Sequence, residues 1–235
     1  MRRVSMLILS ATIAAAPAAA QRPRIIQLGE PAYWFSAGIG GFSGNGDNAG
    51  VNDGRTGSAW NFGNSLNLQY RASLEKSTGS GMSLGIAGTY SRVPFVYSSD
   101  FTVPLPNGTS GARCGQCDAH LDMTTIVGLF RAGAGVGFHQ VIELSGGIVA
   151  YQNLKEDATK TKLAPSGGNI DPIFSLGYGL GYGLSDRTEL TFVPDYAIAL
   201  HERTGLSNGV SNTNSIRSLR VSLRMGFGGS PQRRR

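Results

Sequence analysis

The chain has 235 residues, 21 of them basic and 15 acidic, with a formal net charge of +6 and two cysteines. Only 15% of the residues are charged, against ~25% in soluble domains, while the 34 glycines are about twice the usual share. Arginines occupy two of the first three positions and all of the last three. The body is therefore nearly neutral, and its charge predicts no nucleic-acid partner.

The N-terminus has the organisation of a secretion signal. Two arginines precede an apolar stretch over 4–16, and three alanines precede a predicted cut before Gln21. The apolar stretch is shorter than the ~20 residues that a membrane-spanning helix needs. We therefore expect residues 1–20 to be a signal peptide that is removed from the mature protein.

The segment 60–74 carries the clearest pattern in the chain. From Trp60 onward every second residue is apolar, with Asn64 as the one interruption. This period of two predicts a strand with one apolar and one polar face. Because the polar residues are mostly small and uncharged, they suit a crowded wet interior better than open water. The pattern is typical of a barrel whose apolar faces contact lipid.

Seven further segments share this period. In chain order, strands are predicted at 33–42, 60–74, 82–91, 121–129, 142–150, 174–184, 190–200 and 219–227. In the fourth of them, Leu121, Met123, Val127 and Leu129 are assigned to the lipid-facing side. In the seventh, Pro194 cannot donate a ladder hydrogen bond, so we expect a bulge or a local kink there.

The predicted connections alternate between long and short. The long ones, at 43–59, 98–120, 152–171 and 201–215, are rich in Gly, Asn, Ser and Asp. The short ones are at 75–81, 132–137 and 185–188. Long loops at one end and tight turns at the other are the arrangement of outer-membrane barrels, and an even strand count places both termini at the tight-turn, periplasmic end.

The last predicted strand alternates apolar residues and ends in an aromatic one. Its apolar positions are Leu219, Val221, Leu223, Met225 and Phe227. On this strand and on the strand count, region 33–227 resembles the small eight-stranded outer-membrane barrels of the OmpA-transmembrane-domain, OmpX and Ail kind. The resemblance implies an all-β, antiparallel, up-and-down transmembrane β-barrel in the bacterial outer membrane.

The same resemblance assigns the flanking segments and the partners in assembly. Leu223, Met225 and Phe227 would belong to the insertion signal that the barrel-assembly machinery reads, after transport by periplasmic chaperones. Residues 21–32 would form a periplasmic N-terminal segment. Residues 228–235 would form a basic periplasmic tail, although in many relatives the aromatic residue ends the chain.

Inward-facing positions carry ionisable residues. They are Arg71, Glu143, Glu189, Asp195, Arg220 and Arg224. Glu189 with Arg224, and Asp195 with Arg220, fit one antiparallel register to within a diagonal step. Because a lone buried carboxylate is costly and a paired one is tolerable, we expect an interior plugged by ion pairs. The alternative is a thin water-filled channel lined by the same charges.

The second long loop contains both cysteines, as Cys114-Gly115-Gln116-Cys117. An exported location is oxidising and favours a disulfide between Cys114 and Cys117. A redox dithiol, or a metal site completed by Asp118 and His120, is the alternative. A single C-x-x-C without a second pair is a weak zinc signal, so no metal and no cofactor are predicted.

Catalytic candidates are few. His201 and Ser207, at the outer end of the seventh strand and in the fourth long loop, could form a base and nucleophile, but the surrounding motif does not match outer-membrane lipid A deacylases. We therefore predict a non-enzymatic barrel that supports the outer membrane and contacts lipopolysaccharide, surfaces or host molecules through its loops. A small diffusion pore, a lipid-modifying enzyme and a soluble barrel for an apolar ligand are the alternatives.

Overall fold

The computed structural model describes residues 30–44, 49–52, 57–61, 66–98, 116–163, 169–201 and 212–229. These residues form ten strands: β1 (Tyr33–Gly44), β2 (Ala49–Asn52), β3 (Gly57–Asn61), β4 (Asn67–Gly79), β5 (Met82–Ser98), β6 (Cys117–Ala132), β7 (Gly137–Glu156), β8 (Asn169–Ser185), β9 (Thr188–Leu200) and β10 (Thr213–Phe227). Within the described ranges, no helix has the length and apolar character needed to span a membrane.

Eight of these strands form a closed antiparallel barrel. The order around the barrel is β1, β4, β5, β6, β7, β8, β9 and β10, and β10 pairs again with β1, from Tyr33↔Phe227 to Gly44↔Ile216. Each strand therefore pairs with its neighbours along the chain, as in an up-and-down barrel. The predicted fold class and strand number are confirmed.

The remaining strands, β2 and β3, form a hairpin beyond the end of β4, where β3 pairs with the same edge of β5. Trp60 lies in β3, which pairs with the far end of β5 at Trp60↔Tyr97, whereas the barrel strand β4 begins at Asn67. The prediction of one continuous strand over 60–74 is therefore wrong. β5 has 17 residues and β4 has 13, so β5 projects beyond its partner and offers backbone groups to β3.

Strand β6 faces the opposite way from the prediction. Leu121, Met123, Val127 and Leu129 point into the barrel and are buried, while Ile126 on the other face is 60% exposed. Both faces of β6 carry apolar residues, so alternation in hydrophobicity alone does not tell inside from outside. The register with β7 sets the direction, because it places Arg131 opposite Glu143 on the inner face.

The ladder between β8 and β9 passes Pro194 without a bulge. The register is the same at Gly177↔Asp195 and at Leu180↔Phe192, although the positions between them are not paired. On its other side Pro194 keeps its place opposite Leu219 of β10. The missing N–H of proline thus interrupts one ladder locally, and of the two predicted outcomes, a bulge or a local kink, the bulge is absent.

Tight turns lie at one end of the barrel, which we call the inner end, and the long connections lie at the other, the outer end. The inner turns join β4 to β5, β6 to β7 and β8 to β9. The turn after β4 has positive φ at Gly79, Ser80 and Gly81, a geometry that glycine adopts without a steric penalty. Both Tyr33 and Phe227, the ends of the barrel region, lie at this end.

Candidate functional site: the barrel interior

The inner half of the barrel contains a network of buried charges. Its members come from five strands and comprise four arginines and four carboxylates: Arg71, Arg131, Arg220, Arg224, Glu75, Glu143, Glu189 and Asp195. The formal charges of these eight residues cancel. We call this set the charged network.

Arg224 of β10 forms the part of the charged network closest to the inner end. Its Nη2 lies 2.7 Å from Oε2 of Glu75, and its Nη1 lies 3.1 Å from Oε2 of Glu189. Ser83 donates a 2.6 Å hydrogen bond to Glu75 and accepts one of 2.8 Å from Arg224. The Arg224 guanidinium also lies 4.1 Å from the centroid of the Trp34 ring, a favourable cation–π geometry.

Arg131 of β6 contacts two carboxylates of the charged network, those of Glu189 and Glu143. Its Nη2 lies 3.4 Å from Glu189 Oε1, and its Nη1 lies 3.1 Å from Glu143 Oε1. Nε2 of His139 lies 3.0 Å from the same Glu189 oxygen. Glu189 is thus held by three side chains from three different strands.

Two further arginines donate hydrogen bonds to Glu143 of β7. Its Oε2 accepts hydrogen bonds from Arg220 at 2.8 Å and from Arg71 at 3.3 Å. Arg220 also lies 2.9 Å from Oδ2 of Asp195, whose other oxygen accepts a hydrogen bond from Ser218. The ion pairs therefore continue without a break from Glu75 to Asp195. Several of them, such as Arg71 with Glu143, join strands that are not neighbours in the barrel wall.

The structure places all six sequence-assigned charges in this one network, and it adds Glu75 and Arg131; His139 contacts the network at Glu189. The sequence analysis missed Glu75 because it assigned that residue to a short connection. It missed Arg131 because it ended the fourth strand at residue 129. Extending the predicted second strand would have placed Glu75 on the inward side with Arg71, since β4 continues to Gly79. Extending the predicted fourth strand to Ala132 would have placed Arg131 on the face assigned to lipid, and a charge on that face indicates that the assigned direction of β6 was reversed.

On the outer side of the charged network lies a small cavity with polar and apolar walls. It has a volume of about 40 Å³, which is space for about one water molecule. The hydroxyls of Thr89 and Thr125 lie 2.6 Å apart at its wall, as do those of Ser145 and Ser175. These short contacts across neighbouring strands satisfy the hydroxyls without solvent.

The outer half of the interior is mainly apolar, although Ser91 and Asp171 are also buried there. Its most deeply buried side chains have no exposed surface: Val93, Ala119, Leu121 and Val149. They belong to a cluster that also contains Phe42, Phe95, Tyr97, Met123, Tyr151, Ile173, Ala197, Ala199 and Ile216. We call this cluster the apolar layer. The expectation of small polar residues on inward positions therefore holds for the inner half and is wrong for the outer half.

Two histidine–aspartate pairs lie at the outer end. Nδ1 of His120 is 2.6 Å from Oδ1 of Asp157, and Nδ1 of His201 is 2.7 Å from Oδ1 of Asp171. Ser207, the predicted partner of His201, lies outside the described residues.

Cys117 begins β6 and packs against the apolar layer, but its predicted disulfide partner Cys114 lies outside the described residues. The pairing therefore stays a prediction. Among the residues that the structure describes, no group of three or more His, Cys, Asp or Glu side chains is arranged to hold a metal ion.

The residues of the predicted insertion signal lie on the outer surface of β10. Leu223, Met225 and Phe227 are between 42% and 47% exposed and point away from the lumen. Phe227 stacks on Tyr33 of β1, with ring centroids 5.8 Å apart. Their role in assembly stays a prediction.

A closed eight-stranded antiparallel barrel with an apolar exterior is the architecture of small outer-membrane barrels. No family model and no curated protein matches the chain. Among solved structures it is similar to Neisserial surface protein A, with 12% identity, a TM-score of 0.46, and coverage of 85% of this chain and 99% of that one.

It is also similar to the N-terminal β-barrel domain of Pseudomonas aeruginosa OprF, with 11% identity, a TM-score of 0.41, and coverage of 83% and 99%. The outer-membrane protease OmpT from Escherichia coli matches with 9% identity, a TM-score of 0.41, and coverage of 83% and 96%. These similarities concern the fold alone, and a fold does not decide an activity.

Proposed function

We propose that the protein is a non-conducting, non-enzymatic barrel of the bacterial outer membrane, which supports the membrane and carries surface-contacting loops. The observation that carries this proposal is the content of the lumen. A charge-balanced network fills its inner half and an apolar layer fills its outer half. Each would block the passage of a hydrated ion for a different physical reason.

The exterior supports a location in a membrane. Large apolar side chains point outward around the barrel, and examples with at least half of their surface exposed are Ile39, Leu68, Leu84, Ile86, Phe174, Leu176 and Tyr178. A continuous apolar surface of this kind is far larger than the patches that soluble monomers expose. Lipid tails satisfy it, as they do in transmembrane barrels.

The charged network resists opening because each carboxylate is held by several donors. Glu143 is bound by Arg71, Arg131 and Arg220. Moving any one arginine aside would leave a buried carboxylate with fewer partners, which costs several kcal/mol. A permeating ion would have to break these contacts and replace them within the same narrow space.

The apolar layer would be a second barrier in series. Val93, Leu121 and Val149 cannot replace the water around an ion, and the buried carboxylate of Asp171, opposite Val149, is already in contact with His201. Transfer of a charged group into such surroundings is strongly unfavourable. The barrier therefore does not depend on the ion pairs, and weakening the charged network alone should not create a pore.

Planar-bilayer recording tests this proposal against the diffusion pore. We expect the purified, refolded protein to give no steady single-channel current, because both layers exclude hydrated ions. A variant with Glu143→Gln should behave in the same way, because the apolar layer is intact. Steady, large currents from the unmodified protein would refute the plugged lumen and favour the pore.

The non-enzymatic part of the proposal is tested at His201. Its Nδ1 contact with Asp171 has the geometry of the base and its orienting carboxylate in a catalytic triad, and this observation favours a lipid-modifying enzyme as the second candidate. We expect His201→Ala to leave the mass profile of lipid A from producing cells unchanged. A lost or new acyl or phosphate mass in that variant would favour the enzyme, with His120→Ala as the matched control at the other pair.

The proposed surface contacts, with lipopolysaccharide or another surface ligand, would be made by the long connections at the outer end. Replacing 99–116 and 202–211 by short Gly/Ser turns should abolish any such binding. The barrel itself should still assemble, because the strands that form its ladders and the residues of the charged network are outside these segments. Heat-dependent migration on SDS gels reports the assembled barrel, and undiminished binding would contradict a role for these loops.

A further inference from the structure

A groove crosses the outward-facing surface of β4, β1, β10 and β9. It has a volume of about 410 Å³, which is in the ~300–1,000 Å³ range of sites that hold small ligands. We call it the wall groove. Its walls are apolar: Leu68 lies on one side, and Leu219, Val221 and Phe192 lie on the other.

The floor of the wall groove is a glycine in a row of larger residues. Gly41 of β1 is paired with Leu68 of β4 and with Leu219 of β10, so two leucines flank a position that has no side chain. Leu66 adds to the wall on the β4 side, and a Cβ atom on Gly41 would lie 2.6 Å from its Cδ1. Any larger residue at position 41 would therefore fill the floor.

The neighbouring outward positions of β1 give the wall groove a direction. Toward the inner end the next one is Ile39, which lines the groove and is 57% exposed. Toward the outer end the next one is Ser43, whose side chain is small. Side chains alternate between the two faces of a strand, so the larger residue closes the groove toward the inner end and the smaller one leaves it open toward the outer end.

An unpaired cation lies at this open end. Arg217 is exposed on the same face of β10 as Leu219, two positions nearer the outer end. Its neighbours across the ladders are Ser43 of β1 and Tyr196 of β9. Among the described residues, its guanidinium group has no ion pair and no hydrogen bond. Arginine in this state is suited to bind a phosphate with two parallel hydrogen bonds.

The height of Arg217 on the barrel fits a lipid phosphate. Ten residues separate it from Phe227 at the inner end of β10. At ~3.3 Å per residue and a tilt of ~40°, the two residues lie roughly 25 Å apart along the barrel axis, the height of the apolar band of a transmembrane barrel. The outward residues between them are all apolar, namely Leu219, Val221, Leu223 and Met225. Arg217 is therefore the first charge of β10 beyond that band.

We propose that the wall groove binds one lipid A molecule of the outer leaflet, with an acyl chain over Gly41 and a phosphate on Arg217. This inference rests on the proposed location in the outer membrane, whose outer leaflet is built from lipopolysaccharide. The acyl chain gains contact with the apolar walls because the glycine leaves space for it. Phospholipids of the inner leaflet offer the same chemistry, but their phosphates lie at the other end of the apolar band.

Native mass spectrometry of the refolded barrel in detergent, with bis-phosphorylated lipid A as the probe, tests the charged part of the site. We expect one lipid A to be retained per barrel, and Arg217→Gln to weaken its binding about tenfold because the phosphate loses its charged donor. Arg92→Gln is the matched control. Arg92 is also exposed and lies ten residues from the inner end of its strand, but its Nη2 is 2.6 Å from Nε2 of His120. This control should bind lipid A as the unmodified protein does.

The apolar part of the site is tested by filling it. Val221→Trp places a large ring in the wall groove and should weaken lipid A binding, whereas Leu144→Trp, at a comparably exposed position of β7, should not. Because the probe has no polysaccharide, its binding should persist in the chain with both long connections replaced. Heat-dependent migration on SDS gels reports assembly of each variant. An assembled barrel that retains no lipid A would refute the site and leave the proposed location in the membrane untouched.

Three other results would overturn the proposal. Equal retention by the Arg217→Gln, Val221→Trp and control barrels would show that the lipid is held without the wall groove. Equally tight binding of phosphatidylglycerol, with the same loss in Arg217→Gln, would assign the groove to a phospholipid. A dimer that disappears in Val221→Trp would assign it to a second copy of the chain.

Discussion

Replacing Glu143 by Gln is expected to lower the free energy of unfolding by about 3–5 kcal/mol, the usual cost of removing one partner from a buried ion pair. The carboxylate of Glu143 is in contact with Arg71, Arg131 and Arg220. The neutral amide leaves these three guanidinium groups close together, with one compensating charge fewer. Equilibrium unfolding by guanidinium in phospholipid vesicles, followed by tryptophan fluorescence, measures the change.

Two further variants make this prediction specific. Asp118→Asn removes an exposed carboxylate and should change the free energy of unfolding by less than about 0.5 kcal/mol. Adding Arg71→Met to Glu143→Gln restores the charge balance and should recover part of the lost stability, since a neutral apolar replacement of a buried pair is often tolerated. A Glu143→Gln barrel as stable as the Asp118→Asn barrel would show that the network contributes little.

The charged network illustrates what the sequence predicts and what it does not. Alternation placed Glu189, Asp195, Arg220 and Arg224 on inward positions, because a strand has only two faces and the register is fixed by short turns. It did not predict that Arg71 reaches Glu143. The two residues belong to β4 and β7, and their contact across the lumen follows from barrel closure and not from any local pattern.

The apolar layer could not be derived from alternation either. A membrane barrel has no solvent on its lipid side, so an apolar residue suits the outward face, and it equally suits a filled interior that excludes water. On β6 either face could therefore be the outward one, because the neighbouring residues Ile126 and Val127 lie on opposite faces and have nearly equal hydrophobicity. The contacts across the lumen decide the question, and they involve residues far apart in sequence, such as Phe42, Leu121 and Ile216.

The orientation of β6 predicts opposite effects for two substitutions on the same strand. Ala119 points into the apolar layer and has no exposed surface, so Ala119→Leu adds three carbons to a filled space. We expect it to lower the free energy of unfolding by about 1–3 kcal/mol, the typical cost of overpacking. Gly128 points outward, and a Cβ there would have its nearest contact at 3.7 Å. Gly128→Leu should therefore stabilise the barrel, because lipid accommodates the new side chain.

The opposite signs follow from what surrounds each side chain. Neighbouring residues such as Phe95, which is directly opposite Ala119 in the β5–β6 ladder, cannot move aside without disturbing the rest of the layer. Acyl chains can rearrange around a larger outward residue and gain contact with it. The same unfolding titration in vesicles measures both variants. If Ala119→Leu stabilised the barrel and Gly128→Leu destabilised it, β6 would face the other way and the apolar layer would be lipid-exposed surface.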